Sequence, residues 1–294
     1  MEQRIKGSTG LLCLIGSPVG HSGSPAMYNF SFQYHGQNYA YMAFDIKEDQ
    51  AEDAVKALRL LNVRGFNVTM PCKNVVAKLV DELSPAARII GAVNTVVNEN
   101  GKLIGHMTDG GGFVRNLKEH DVEVKDKKIV LLGAGGAATA IEVECALQGA
   151  RAISVFNAND PFLDRAKVTE AKLKTEVPEC EVKVVDLADQ EALRAEIASA
   201  DILINATSVG MKPREDTTLI NDVSMFRPDL VVADTVYNPL ETKMMRQAKE
   251  AGCKVVGGEG MLLWQGAIAY KLYTGLEMPT DEYQKFKKEQ EAKS

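Results

Sequence analysis

A turn after a short apolar strand carries the side chains with the clearest chemical purpose. The segment is Gly65-Phe66-Asn67-Val68-Thr69-Met70-Pro71-Cys72-Lys73. Its apolar strand ends at Val68, and an amide, a hydroxyl and an ammonium lie within the seven residues from Asn67 to Lys73. Pro71 cannot continue a strand, and it favours an extended conformation at Met70. We therefore predict a polar turn at a strand end, where Asn67, Thr69 and Lys73 suit a polyhydroxylated acid.

Two further segments supply what a redox reaction needs. Thr108-Asp109-Gly110-Gly111-Gly112 is expected to be a polar loop that contributes the Asp109 carboxylate. Gly133-Ala134-Gly135-Gly136-Ala137-Ala138 follows an apolar strand and opens a helix, in the G-x-G-x-x-A pattern. Such a loop lets backbone N–H groups approach a pyrophosphate at a helix N-terminus. The combination predicts a hydride-transfer enzyme that uses a dinucleotide.

The end of the next strand indicates which dinucleotide is used. It reads Phe156-Asn157-Ala158-Asn159-Asp160, with a carboxylate and no arginine or lysine. A carboxylate accepts hydrogen bonds from the ribose hydroxyls of NAD and repels the 2′-phosphate of NADP. We predict that Asn157 and Asp160 favour NAD, with NADP possible. Asp160 could instead cap the next helix, and the two roles are compatible.

Composition excludes several functional classes. The 294 residues suit two domains, and 45% hydrophobic with 25% charged residues is typical of a globular protein. A net charge of −6 without a basic block argues against nucleic acid, and no apolar run could span a membrane. The five cysteines and four histidines lack metal-ligand spacing. We expect no metal, reduced thiols and a cytoplasmic protein.

Strands and helices alternate through residues 11–105. Strands are predicted at Leu11–Ile15 and Tyr39–Ile46, and the spacing of apolar residues predicts a helix over Glu48–Leu61. Ser24-Pro25 and Ser84-Pro85 are expected to cap two further helices, which end near Gly36 and Gly91. Asn100-Gly101 predicts a type I′ hairpin between strands Val93–Val97 and Lys102–Gly105.

From residue 128 the pattern is regular βαβ. Strands are predicted at Ile129–Leu132, Ile153–Phe156, Val182–Val185, Ile202–Asn205 and Leu230–Asp234, with helices between most of them. The predicted fold class is α/β with two domains, an α/β substrate domain and a Rossmann-type doubly wound parallel sheet. The substrate domain is expected over 1–110, completed by C-terminal helices in 261–294, and the dinucleotide domain over 111–260. Substrate would lie in a cleft between them.

Ordered motifs along nearly the whole chain resemble the shikimate dehydrogenase family, most closely its quinate/shikimate dehydrogenase branch. They are GSPVGHSGSPAMYN at 16–29, GFNVTMPCK at 65–73, GAVNT at 91–95, GHMTDG at 105–110, LLGAGGAATA at 131–140, NATSVGM at 205–211, DTVYNP at 234–239 and GMLLWQGA at 260–267. The resemblance implies NAD(P)-dependent interconversion of shikimate and 3-dehydroshikimate, and with it quinate and 3-dehydroquinate as alternative substrates. This would serve aromatic amino acid biosynthesis or quinate use.

The resemblance also implies residue roles. Ser22 and Ser24 would bind the substrate carboxylate beside Tyr237, while Lys73 and Asp109 would form a proton-transfer dyad. The remaining substrate contacts would come from Asn67, Thr69, Asn94 and Gln265. Besides the glycine-rich loop, cofactor contacts would come from Asn157, Asp160, Thr207, Ser208, Thr235 and Gly258.

Other interpretations stay open. Ser22 and Ser24 could be turn and cap residues, Asn94 could satisfy local backbone groups, and Tyr237 and Gln265 could be ordinary half-buried residues. A non-catalytic quinate or shikimate sensor is disfavoured because Lys73 and Asp109 are both retained. A dehydrogenase of an amino analogue of shikimate, or of a folate-linked carbon unit, is a further alternative. Homodimer and monomer are both compatible with the sequence.

Overall fold

The computed structural model describes residues 5–292, which divide into two compact units. The first unit contains the residues up to Thr108 and those from Gly266 onward, and the second runs from Asp109 to Gln265. The outermost residues of the predicted domain ranges, 1–4 and 293–294, lie outside this description. Among residues 5–292, no helix is long and apolar enough to cross a membrane. In the same range, no three His, Cys, Asp or Glu side chains are grouped as metal ligands.

The first unit is built on a mixed six-stranded sheet of order β2-β1-β3-β5-β6-β4. Strand β1 pairs in parallel with β2 and β3, whereas β5 pairs antiparallel with β3 and β6. The predicted hairpin is confirmed, because Asn100 and Gly101 have φ values of 55° and 94°. The six strands of the sheet are β1 (Gly10–Gly16), β2 (Tyr39–Asp45), β3 (Gly65–Val68), β4 (Glu82–Leu83), β5 (Thr95–Glu99) and β6 (Lys102–His106).

Four helices connect these strands: α1 (Ser24–Tyr34), α2 (Ala51–Leu60), α3 (Lys73–Val76) and α4 (Pro85–Ile90). Ser84 caps α4 as predicted, and Gly91 ends it in the left-handed region at φ 75°. The predicted cap at Ser24 is wrong by one residue, because Gly23 is the N-cap and Ser24 is the first helical residue. Ser22 Oγ accepts a hydrogen bond from the Ser24 N–H at 3.2 Å, so the serine two residues earlier holds the helix start.

The second unit confirms the predicted doubly wound sheet. Six parallel strands lie in the order β12-β11-β10-β7-β8-β9, so the order reverses between β7 and β10. The strands are β7 (Lys128–Leu132), β8 (Ala152–Asn157), β9 (Glu181–Asp186), β10 (Ile202–Asn205), β11 (Val231–Asp234) and β12 (Lys254–Val256). The helices are α5 (Asp109–Glu119), α6 (Gly136–Leu147), α7 (Pro161–Glu176), α8 (Gln190–Ala198) and α9 (Lys243–Glu250).

The predicted polar loop at Thr108–Gly112 is wrong from Asp109 onward, because Asp109 opens α5. Its glycines serve packing. A Cβ on Gly110 would lie 2.1 Å from the Ala140 carbonyl oxygen on α6, a distance that no side chain tolerates. Lys73, also expected in a loop, is likewise the first residue of a helix, α3. Both candidate catalytic side chains therefore start from helical backbone.

Two closing helices, α10 (Glu259–Thr274) and α11 (Thr280–Glu291), complete the first unit from Gly266 onward. The Tyr28 hydroxyl on α1 donates to the Gly266 carbonyl at 3.2 Å, and Arg64 Nε donates to the Tyr273 carbonyl at 2.8 Å. Gly65 leaves room for the Tyr273 ring, which a Cβ at that position would approach to 2.5 Å.

Candidate active site

A buried hydrogen-bond network lies where β3 of the first unit ends. The Tyr41 hydroxyl donates to Asn67 Oδ1 at 2.7 Å. Asn67 Nδ2 donates to the Asn94 carbonyl at 3.2 Å and to Thr95 Oγ1 at 3.0 Å. Burial raises the pKa of Tyr41 well above its ordinary value, so its hydroxyl remains a donor. The Asn67 amide is thus engaged within the protein, where it ties β2, β3 and β5 together.

Asn94 is the second anchor of this network. Its Oδ1 accepts the Thr108 N–H at 2.8 Å, and its Nδ2 donates to Thr108 Oγ1 at 2.8 Å. The Asn94 N–H donates to the His106 carbonyl at 3.0 Å. Asn94 and Thr108 are only 4% and 3% exposed, so water does not compete for these bonds. The side chain of Asn94 is therefore held in one orientation by the residue that directly precedes Asp109.

Thr69 and Lys73 lie at the carboxyl ends of β1 and β3. The Thr69 N–H donates to the Ile15 carbonyl at 2.9 Å, and the Ser17 N–H donates to the Met70 carbonyl at 2.9 Å. The Lys73 carbonyl accepts the Val93 N–H at 3.1 Å, which joins α3 to the residue before Asn94. Thr69 and Lys73 are both half-buried. Ser22 and Ser24, also half-buried, follow the same end of β1.

The glycine-rich loop of the second unit fits a pyrophosphate. Gly133 has φ 108°, and a Cβ on it would lie 2.8 Å from Thr207 Cγ2. A Cβ on Gly135 or Gly136 would meet no described atom within 4 Å, so packing does not require glycine at these positions. Within residues 5–292, no side chain caps the N-terminus of α6. Its backbone N–H groups and the open space above the two glycines suit an anionic group that approaches the backbone closely.

The loop after β8 shows the capping role of Asp160. Its Oδ1 accepts the Phe162 N–H at 2.8 Å and a bond from Asn157 Nδ2 at 2.9 Å. Both bonds use the same oxygen, so the cap occupies Oδ1. The guanidinium of Arg165 lies 5.6 Å from the centre of the Phe162 ring. Arg165 is an exposed cation in α7, beyond residues 156–160, and was not predicted as a cofactor contact.

A second buried network joins the carboxyl ends of β10 and β11. Asp234 is completely buried, and its Oδ1 accepts bonds from Asn205 Nδ2 at 3.0 Å and from the Val236 N–H at 2.9 Å. Its Oδ2 accepts the Thr242 hydroxyl at 2.7 Å, where Thr242 is the N-cap of α9. Burial raises the pKa of Asp234, and these three hydrogen bonds oppose the shift.

The remaining predicted site residues of the second unit lie on the turns after β10, β11 and β12 and on α10. The Thr207 hydroxyl donates to Asn205 Oδ1 at 2.7 Å, and Ser208 is exposed. A Cβ on Gly258 would lie 2.3 Å from the Thr235 carbonyl oxygen, which explains the glycine. Tyr237 is 50% exposed. Gln265 is half-buried, and its Nε2 donates to the Leu262 carbonyl at 3.1 Å.

Known proteins are similar to this chain over most of its length. A family model described as the shikimate dehydrogenase substrate binding domain matches residues 14–96, and one described as the shikimate 5'-dehydrogenase C-terminal domain matches 258–282. A protein of Streptococcus uberis named shikimate dehydrogenase (NADP(+)) is 49% identical over 284 residues, which cover 96% of each chain. The chain belongs to the shikimate dehydrogenase family.

Solved structures of the same family share the fold. The shikimate 5-dehydrogenase of Listeria monocytogenes, crystallised in complex with shikimate and NAD, is 45% identical with a TM-score of 0.94, covering 97% of this chain and 99% of that one. The quinate dehydrogenase of Corynebacterium glutamicum, in complex with NAD, is 32% identical with a TM-score of 0.83, covering 94% and 98%.

Four residues that organise the two networks were not predicted as site residues: Tyr41, Thr108, Asp234 and Thr242. Thr108 and Asp234 lie inside the quoted motifs GHMTDG and DTVYNP, so a closer examination of those motifs could have found them. Tyr41 and Thr242 have no such signal. An aromatic residue in a strand and a threonine before a helix are ordinary features, and only the tertiary structure gives them partners.

Proposed function

We propose that the chain is an NAD(P)-dependent oxidoreductase that interconverts shikimate and 3-dehydroshikimate by hydride transfer, as a step of aromatic amino acid biosynthesis. The observation that carries this proposal is the extent of its similarity to the Listeria monocytogenes protein crystallised with shikimate and NAD. The test is a set of steady-state rates with shikimate and quinate, each with NAD and NADP. Absence of shikimate turnover with either cofactor would overturn the proposal.

The bound dinucleotide would accept hydride from the substrate carbon, or donate hydride to it in the reverse direction. The protein must move the hydroxyl proton. Lys73 would take it during oxidation and return it to the ketone during reduction, and Asp109 would act with it as a dyad. Support comes from the position of Lys73 beside the Asn94 network and of Asp109 directly after Thr108.

Substrate recognition would use polar residues from both units. Ser22 and Ser24, with Tyr237, would bind the carboxylate, while Thr69, Asn94 and Gln265 would bind ring hydroxyls. Asn67 would act through the Asn94 carbonyl and the Thr95 hydroxyl that it holds. Ser22→Ala combined with Ser24→Ala should weaken shikimate binding, because each lost bond to a carboxylate is worth about 1.5 to 3 kcal/mol. Titration calorimetry with cofactor as the control ligand would measure this.

NAD is proposed as the favoured cofactor, with NADP also used. Asp160 and the absence of a cation at 157–160 support NAD, whereas Arg165 offers a guanidinium to a 2′-phosphate. The measurement is kcat/KM for both cofactors at saturating shikimate, with an expected preference of about ten- to a thousandfold for NAD. Asp160→Ser with Ala158→Arg should narrow or reverse it, and Arg165→Ala should reduce NADP use alone. Equal or better use of NADP would contradict this assignment.

Quinate is the second candidate substrate. It is supported by the similarity to the quinate dehydrogenase of Corynebacterium glutamicum. Quinate and shikimate carry the same carboxylate and similar ring hydroxyls, so the proposed contacts suit both. The four-way rate comparison ranks them by kcat/KM.

Two further proposals concern the setting of the protein. A cytoplasmic location is supported by five free cysteines, all of them buried thiols. Either a monomer or a homodimer is proposed, and sedimentation equilibrium would distinguish them.

A further inference from the structure

We propose that Asp234 is a positioning residue for the nicotinamide half of the cofactor, acting through Asn205 on the turn from Thr207 to Gly210. This inference rests on the proposed dinucleotide site. In a doubly wound sheet the two halves of a dinucleotide lie on opposite sides of the point where strand order reverses. The glycine-rich loop follows β7 and the proposed ribose contact follows β8. The half that carries the nicotinamide therefore belongs over β10 and β11.

Asp234 determines which way the Asn205 amide points. An ionised carboxylate only accepts hydrogen bonds, so Asn205 must present Nδ2 to Asp234 Oδ1, as it does at 3.0 Å. Asn205 Oδ1 then faces the following turn, where it accepts the Thr207 N–H at 3.1 Å and the Thr207 hydroxyl at 2.7 Å. A reversed amide would present a donor to the Thr207 N–H and an oxygen to the Asp234 carboxylate.

The turn that Asn205 holds lies against the glycine-rich loop. Asn205 Nδ2 also donates to the Val209 carbonyl at 3.1 Å, and the Thr207 Oγ1 accepts the Val209 N–H at 3.1 Å. Thr207 Cγ2 would lie 2.8 Å from a Cβ on Gly133, so the threonine touches the first glycine of the fingerprint. A shift of Thr207 would therefore displace the wall beside the bound cofactor.

The backbone that follows Asp234 lies against Gly258. The Thr235 N–H donates to the Asn205 carbonyl at 2.9 Å, and the Thr235 carbonyl closely approaches Gly258. The other oxygen of Asp234 accepts the hydroxyl of Thr242, which caps α9. The methyl group of Thr242 lies beside Gly210, where a Cβ would approach it to 3.4 Å. Asp234 therefore holds the Asn205 side chain through Oδ1 and the N-cap of α9 through Oδ2. Thr242→Val removes the hydroxyl that binds Asp234 Oδ2 and keeps the methyl group beside Gly210, so it is a matched control.

The test compares intact cofactor with ADP-ribose, which lacks the nicotinamide. Asn205→Ala and Asp234→Ala should lower kcat/KM for the preferred cofactor at least tenfold and weaken binding of the reduced cofactor similarly. Their affinity for ADP-ribose, measured by calorimetry, should stay within about threefold of wild type. Asp234→Asn keeps an oxygen for Asn205 and should restore cofactor use to within about threefold. Thr242→Val should lower the melting temperature and leave both affinities within about twofold.

Two results would overturn the inference. One is full cofactor use in Asn205→Ala, which is measurable even if Asp234→Ala does not fold. The other is an equal loss in Thr242→Val, which would make the effect one of general stability. Failure of the proposed function is a separate outcome, because the wild-type protein would then turn over no shikimate, whereas the binding measurements with ADP-ribose and intact cofactor would still test the inference.

Discussion

The two units bury their polar side chains in different ways. Among the described residues, every buried polar side chain of the first unit is neutral, whereas the second unit buries two carboxyl groups, Glu142 and Asp234. The first unit satisfies its network by exchange between amides and hydroxyls, as between Asn67 and Tyr41. The second gives Asp234 three donors. Glu142 receives no donor at Oε1.

The difference has consequences for pH. Neutral amides and hydroxyls keep their hydrogen bonds over the whole range in which the protein is folded, so the first network holds its geometry independently of pH. Buried carboxyl groups change charge within that range when burial shifts their pKa. We therefore expect the two buried carboxyl groups to make the stability of the second unit depend on pH, and the amide and hydroxyl network of the first unit to be insensitive to pH.

Lys73→Ala is expected to have the largest effect, because it removes the group proposed to carry the proton and an alanine methyl group cannot replace it. The variant should lower kcat about 10² to 10⁴-fold with little change in KM for shikimate. Lys78→Ala, an exposed lysine five residues later, is the matched control and should behave as wild type. A folded Lys73→Ala protein with more than half the wild-type kcat would show that another group carries the proton.

Glu142 should make the second unit less stable as pH rises. Burial, and then the nearby Glu170, raise its pKa to about 8. The folded state therefore binds a proton that the unfolded state loses near pH 4.5, so stability falls between pH 4.5 and about 8 and then levels off. Glu142→Gln should flatten this slope and raise stability at pH 8 by up to roughly 4 kcal/mol.

The measurement for Glu142→Gln is urea unfolding at several values of pH. Glu144, two residues later in the same helix, is less buried. Glu144→Gln is therefore the control, and its free energy of unfolding should keep the wild-type dependence on pH. A Glu142→Gln protein with an unchanged pH slope would locate the dependence elsewhere and break the contrast between the units.

Asn67→Ala should destabilise the first unit by about 1 to 3 kcal/mol, because it leaves the buried Tyr41 hydroxyl without its acceptor. This loss should be the same at pH 6 and pH 8, since only neutral groups are involved. Tyr41→Phe with Asn67→Ala should cost less than the sum of the single changes. Denaturant melts at both pH values check this. A pH-dependent loss would contradict the neutral-network interpretation.

Ser84→Ala should have the smallest effect, about 0.5 to 1 kcal/mol, because the cap bond to the Ala87 N–H is long at 3.4 Å. Ser84→Gly should cost only a few tenths of a kcal/mol. Thermal melts of the two variants provide the comparison. A loss above 2 kcal/mol would show that α4 contributes more to the first unit than its cap does.

The sequence predicted the second sheet well because its strands are short apolar runs separated by helical stretches. Each of these patterns can be recognised within a few consecutive residues. It also placed the hairpin at Asn100-Gly101, where the required backbone conformation selects the residues. It failed at Asp109, because glycine at 110–112 normally indicates a loop. Here glycine reflects the close approach of Ala140 on another helix, and a contact between distant segments leaves no local signal.

The candidate site shows the same limit. Candidate residues for the chemistry could be proposed from type and motif, as with Lys73 and the glycine-rich loop. Residues that orient them could not, because Tyr41 and Thr242 acquire their role only from partners brought close by folding. Asn67 lies between these two kinds of residue. The motif predicted it as a substrate contact, whereas the structure shows its amide bound to Tyr41, Asn94 and Thr95.

The division of the first unit into two stretches of chain bears on how the protein is made. The second unit is one continuous stretch and can fold while the ribosome is still at work, whereas the first unit waits for its last residues. Until Tyr273 emerges, Gly65 lacks the ring that packs against it, and Arg64 Nε lacks the Tyr273 carbonyl as its acceptor. A nascent chain released before residue 266 should therefore carry a finished nucleotide-type fold beside an incomplete one, which quality-control proteases would remove.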